Sequence, residues 1–155
     1  MEIFLQYLHV LFGCVFAGSA VFVGLCMIPV LRASLNERDR MSFLAALGPR
    51  SKTLMWTSAG FLIVTGSYRI STIIGTPVWE TPYARLLKFK IALAVIAFGL
   101  MAIHDFWLGP RMTRGNPGSP EFNKARRRTI IFAQLQLAAV LGVIWLAVRL
   151  RLYTW

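Results

Sequence analysis

The 155 residues suffice for one domain, and 57% of them are apolar against 15% charged, where a soluble domain runs at about 45–50% and about 25%. A net charge of +11 on so apolar a chain fits a membrane protein whose Lys and Arg sit in short loops. Intrinsic disorder, a disulfide-stapled secreted module and a large multidomain enzyme are excluded. The basic residues are scattered between apolar runs without finger or helix-turn-helix spacing, which argues against nucleic acid as a partner.

The first apolar run, residues 3–31, is broken only by Gln6 and His9. It opens on Glu2 without the positive segment of a signal peptide, so it reads as a retained transmembrane helix. Cys14 and Cys26 both fall inside it; a pair is short of the four ligands of structural zinc. Between Arg40 and Arg50 a short stretch reads as an amphipathic interfacial helix. Further runs follow at 53–74, 86–108 (stopped by Gly109-Pro110) and 129–148. Each can cross a hydrocarbon core about 30 Å thick, which takes about 20 residues. Backbone groups in lipid must be satisfied internally, which makes the runs helices. The expected fold is therefore all-α: a single four-span domain over residues 1–155, an up-down-up-down bundle with the lipid bilayer as its main partner.

Loop charge sets the direction. The connections after the first and third runs hold eleven basic residues and the opposite side six. That asymmetry places the eleven in the cytoplasm and both termini outside, in what reads as a bacterial inner membrane. The stretch from Arg114 to Pro120 is rich in Gly, Pro and Ser and reads as a loop. Small residues four apart (Gly13 and Ala17, Ala20 and Gly24, Ala138 and Gly142) allow close helix contacts.

Ionisable groups inside a span are costly and mark candidate sites. Those here are His9, Arg69, Lys90, His104 and Asp105. His9 and Lys90 lie about 12 Å outward of the midplane and His104 about 9 Å inward. The two histidines, about 20 Å apart along the normal, are too distant to clamp one metal. At about 100° per residue, Lys90, Ala94, Ala97, Met101 and His104 share one face of the third run; His9, Gly13, Phe16, Ala20 and Met27 share one face of the first. The small residues in mid-stripe either permit tight packing or leave room for a flat ring. An imidazole is a common metal and haem ligand, whereas an interfacial histidine bonded to backbone and a snorkelling lysine are the plainer readings. Toward the inner end, Cys26, Met27, Met55, Met101 and His104 offer soft donors that suit Cu(I), although methionine also fills core gaps. Asp105 can pair with Arg111 or His104, and Gln134 and Gln136 stand at a depth to hydrogen-bond them. No nucleophile elbow, phosphate loop, dinucleotide fingerprint or zincin motif is present.

Leu8-His9 opens the first span and Ile28-Pro29-Val30-Leu31-Arg32 closes it; Leu86-Leu87-Lys88-Phe89-Lys90-Ile91-Ala92-Leu93 opens the third, with His104 near its end. In these motifs the chain resembles the superfamily that joins the copper-resistance membrane protein CopD to HemJ-type protoporphyrinogen oxidases. The HemJ-type resemblance implies haem b and oxidoreductase activity, with His9 as axial ligand and Lys90 as the lysine tied to activity. The CopD resemblance implies copper passage across the membrane, and the Pro29-Val30-Leu31-Arg32 ending is closer to that branch. Three readings stay open: a haem b protein with a redox role, built on His9 and Lys90; a copper handler, built on Cys26, Met27, Met101 and His104; and a cofactor-free subunit of a homo-oligomer or larger membrane complex.

Overall fold

The computed structural model describes residues 1–114 and 119–152, the side chains of residues 113 and 114 excepted. Four long helices account for most of them: α1 (Glu2–Ser34), α2 (Glu37–Ser71), α3 (Pro82–Met112) and α4 (Pro120–Arg151). A short 3-10 turn, Pro77–Glu80, precedes α3. No strand occurs among the described residues.

Local chemistry sets the helix starts. The side chains of Asn36, Thr81 and Ser119 accept hydrogen bonds from the backbone N–H groups of Asp39, Ala84 and Phe122, satisfying donors that the first turn leaves orphaned. Pro82 and Pro120 follow their caps, where a missing N–H costs nothing. After α2 the chain turns at Gly75, whose φ of 79° a side chain would resist.

The helices run longer than the apolar runs. α3 does not stop at Gly109-Pro110 but continues to Met112. The reason is visible in two wide turns, π-helical at Phe22–Met27 in α1 and at His104–Leu108 in α3. Each ends two residues before a proline, Pro29 and Pro110. The widened turn absorbs a ring that lacks an N–H and would otherwise press on the carbonyl four residues back. The segment between Arg40 and Arg50 is no separate interfacial helix; it forms the first turns of α2, which also carries Pro49 inside it. Of the loop expected between Arg114 and Pro120, residues 115–118 lie outside the described part of the chain.

α1 packs along α2, α3 along α4, and α1 also touches α4. The glycines of the small-residue pairs sit where leucines of the neighbouring helix enter. A Cβ at Gly13 would meet Leu62, at Gly24 Leu137, and at Gly142 the tip of Leu93 at 2.7 Å. Gly142→Val should therefore overpack the α3–α4 contact and cost about 1–3 kcal/mol. Thermal unfolding in detergent checks this, and Leu93→Ala in the same chain should restore most of the loss.

The shared core is small: Phe16, Met55, Ala59, Ala97, Met101, Ala139 and Val140. Of the apolar stretches in α1, α3 and α4, only 11%, 11% and 22% are buried within the protein. Val64, Val95, Trp107, Trp145 and Val148 all point outward. So much exposed apolar surface on helices of this length requires lipid around it. The protein is an integral membrane protein with three helices, α1, α3 and α4, long and apolar enough to cross the bilayer. α2 is not among those three; its apolar run is diluted by Thr57, Ser58, Thr65, Ser67 and Arg69.

Candidate functional site

Polar side chains gather at two ends of the helices. At the first, near the starts of α1 and α3, His9 Nδ1 lies 2.7 Å from the Thr65 hydroxyl oxygen. That hydroxyl donates to the Phe61 carbonyl at 2.6 Å. A hydroxyl has one hydrogen, and a carbonyl can only accept, so Nδ1 of His9 must be the donor. In a neutral ring this leaves the Nε2 lone pair free, and Nε2 has no hydrogen-bond partner among the described residues. Gly66 lets the ring approach: a Cβ there would stand 3.4 Å from His9 Cε1. Lys90 and Arg69 are close enough for their charges to act on His9. Lys90 itself is half-buried, with no hydrogen-bond or ion-pair partner among the described residues.

At the other end, Asp105 joins α2 to α3. One carboxylate oxygen accepts from the Trp56 indole N–H at 3.0 Å. The other lies 2.9 Å from His104 Nδ1. A carboxylate only accepts, so His104 also donates through Nδ1 and keeps Nε2 free, the arrangement in which second-sphere carboxylates hold metal-binding histidines. Of the two partners expected for Asp105, His104 is the one engaged; Arg111 instead stacks over Trp107 at 5.2 Å. Gln134 and Gln136 do not hydrogen-bond this pair. Lys52 lies 3.7 Å over the Phe106 ring, and Phe106 packs against Trp56, which walls the cluster with aromatic surface.

Just inside this cluster are two thioethers. Met55 of α2 and Met101 of α3 belong to the same buried core, and Met101 is one turn before His104 on the same helix face. Beyond them along α2 lies Ser58, fully buried and bonded to its own Leu54 carbonyl. Cys26 and Met27 occupy the π turn of α1. Cys26 is exposed and free, and Met27 is half-buried. Of the four residues expected to share a copper site, Met101 and His104 stand together, while Cys26 opens away from the core. No group of three or more His, Cys, Asp or Glu side chains converges among the described residues.

A flat ring over Gly13 and Ala94 does not fit this packing. Leu62 fills the space at Gly13, Phe12 stacks on Phe61 at 4.0 Å between centroids, and Phe16 meets Phe98 edge-on across α1 and α3. The mid-stripe small residues serve helix contact.

Trp56 and Thr65, which hydrogen-bond Asp105 and His9, are not singled out by hydropathy alone. The signal was in the spacing: Met55, Ser58 and Thr65 fall on one face of a helix, small and polar where lipid-facing positions carry Val and Ile.

The sequence model of one family, CopD (copper resistance protein D), matches residues 45–150. The chain belongs to this family. The match takes in most of α2, all of α3 and nearly all of α4, and with them Met55, Trp56, Met101, His104 and Asp105; α1, with His9, Cys26 and Met27, lies before it. No individual curated protein and no solved structure shows significant similarity to the chain. Membership makes this an integral membrane protein of a family linked to copper resistance.

Proposed function

We propose that the protein binds Cu(I) inside the membrane as cargo, at the end of the bundle where α2 and α3 are joined by Asp105. The reading rests on Met55 and Met101 in one buried core, with His104 one turn beyond Met101 and its imidazole held by Asp105 through Nδ1 so that Nε2 is free. Thioether and imidazole donors select Cu(I) over harder cations. The Asp105 carboxylate offsets the positive charge of the ion in a layer where an unpaired charge is costly. Lys90 and Arg69, beside His9 at the opposite end, oppose a cation there and so bias copper toward Asp105. Cys26 and Met27, in the π turn of α1, stand as further donors on the route to it.

In this reading α2 crosses the membrane as well, packed along α1, and the buried hydroxyls of Ser58 and Thr65 are satisfied by its own carbonyls. The chain is then a four-span, up-down-up-down domain. The basic connections after α1 and α3 face the cytoplasm and both termini lie outside, so copper is taken up from the cytoplasmic side of a bacterial inner membrane. Purified protein should bind Cu(I) in competition with a chromophoric chelator. Met55→Leu combined with Met101→Leu should weaken binding at least about ten-fold, while each swap costs less than about 1.5 kcal/mol of stability. Unchanged affinity in a folded double variant returns the two methionines to ordinary core.

A further inference from the structure

An open groove of about 510 Å³ lies away from the copper site, between the end of α1 and the first half of α4. It is lined by Arg32, Asn123, Arg126 and Arg127 together with Ile130 and Ile131. Glu37, at the start of α2, is already shared by Arg126 at 3.2 Å and Arg40 at 3.6 Å, and Glu121 lies in the first turn of α4. Arg32 and Arg127 are exposed and add a positive charge that Glu37 does not offset.

Position along the helices matters as much as charge. Arg32 directly follows the last apolar residues of α1, and Arg127 stands two residues before Thr129, Ile130 and Ile131, where the apolar body of α4 opens. The groove therefore straddles the boundary between the basic end and the lipid-facing flank of both helices. A ligand suited to it is anionic at one end and hydrocarbon at the other. A free inorganic anion would satisfy the arginines and leave the isoleucines unused.

We infer that this groove binds the headgroup of an anionic phospholipid, its phosphate on Arg32 and Arg127 and its acyl chain along Ile130 and Ile131. Guanidinium groups grip phosphate through paired N–H donors, which favours such a site over one built from lysine. Basic pockets between transmembrane helices recognise anionic lipids in this manner. The lipid bridges α1 to α4, two helices whose direct contact is slight.

The test uses the full chain, purified in detergent and melted in the presence of phosphatidylglycerol, phosphatidylcholine or inorganic phosphate. Phosphatidylglycerol should raise the melting temperature of the wild type and the other two should not. Lipid titration should give about five-fold weaker binding for each arginine lost, and so about 25-fold for Arg32→Gln with Arg127→Gln. An equal shift with phosphatidylcholine means general lipid solvation, an equal shift with inorganic phosphate means a free-anion site, and an undiminished response in the double variant places the lipid elsewhere; each overturns the inference. Should the double variant fail to fold, native mass spectrometry of the wild type decides: enrichment of anionic over zwitterionic lipid in the co-purified fraction is expected, and its absence overturns the inference.

Discussion

Asp105→Ala is expected to do the most damage, because one carboxylate holds two helices and one ligand. Its loss leaves the Trp56 indole N–H and the His104 Nδ1–H without acceptors. Each donor left unsatisfied in a partly buried setting costs about 1–3 kcal/mol. The copper effect should be larger in proportion. Removing a second-sphere partner of a metal-binding histidine typically lowers affinity 10–100-fold, and here the charge that offsets the ion disappears with it. Asp105→Asn separates the two roles. Its carbonyl oxygen can still accept from Trp56, so most of the stability should return, while the missing charge keeps copper affinity low. Chelator competition beside a thermal melt reads both; full recovery of copper affinity in Asp105→Asn would show that the charge contributes nothing.

The second large effect belongs to the opposite end. Thr65 is 2% exposed and its hydroxyl passes the His9 N–H on to the Phe61 carbonyl. Thr65→Val keeps the shape and removes the oxygen. His9 Nδ1–H then loses its acceptor at a cost of about 1–3 kcal/mol, and the ring is free to turn away from Gly66. Thr65→Ser retains the hydroxyl and should stay close to wild-type stability. Because copper is assigned to the Asp105 end, neither variant should change Cu(I) affinity appreciably. A ten-fold loss in Thr65→Val would move the copper site toward His9.

Much of this was legible in the order of residues. Three long apolar helices follow from runs of about 20 residues with few or no charges, and the contacts at Gly13, Gly24 and Gly142 follow from small residues spaced one turn apart. Counting rise from the middle of each span puts His9 and Lys90 at one depth, and the Lys90 charge acts on His9. What the pattern misjudged was the effect of proline. Gly109-Pro110 reads as a stop, yet the π turn at His104–Leu108 accommodates the ring and carries the helix on. The same turn sets the direction of His104 and Asp105, so the site's geometry depends on a feature that periodicity at 3.6 residues does not encode. The space between α1 and α3 was equally beyond reach: whether small residues hold a ring or admit a leucine is decided by Leu62, on a helix whose register the first and third runs do not specify.

The donors proposed beside Asp105 also have the look of ordinary core. Met55 and Met101 are buried among alanines, as gap-filling methionines are. Only the adjoining His104, held by a carboxylate, distinguishes them. X-ray absorption at the copper edge puts this to its most direct test. The sample is Cu(I)-loaded protein with Cys14 and Cys26 replaced by serine, so that thioethers are the sole sulfur donors. Sulfur neighbours in the copper shell, lost when Met55→Leu and Met101→Leu are added, are the predicted result. A shell of nitrogen and oxygen alone, or a sulfur signal that survives both substitutions, would contradict it.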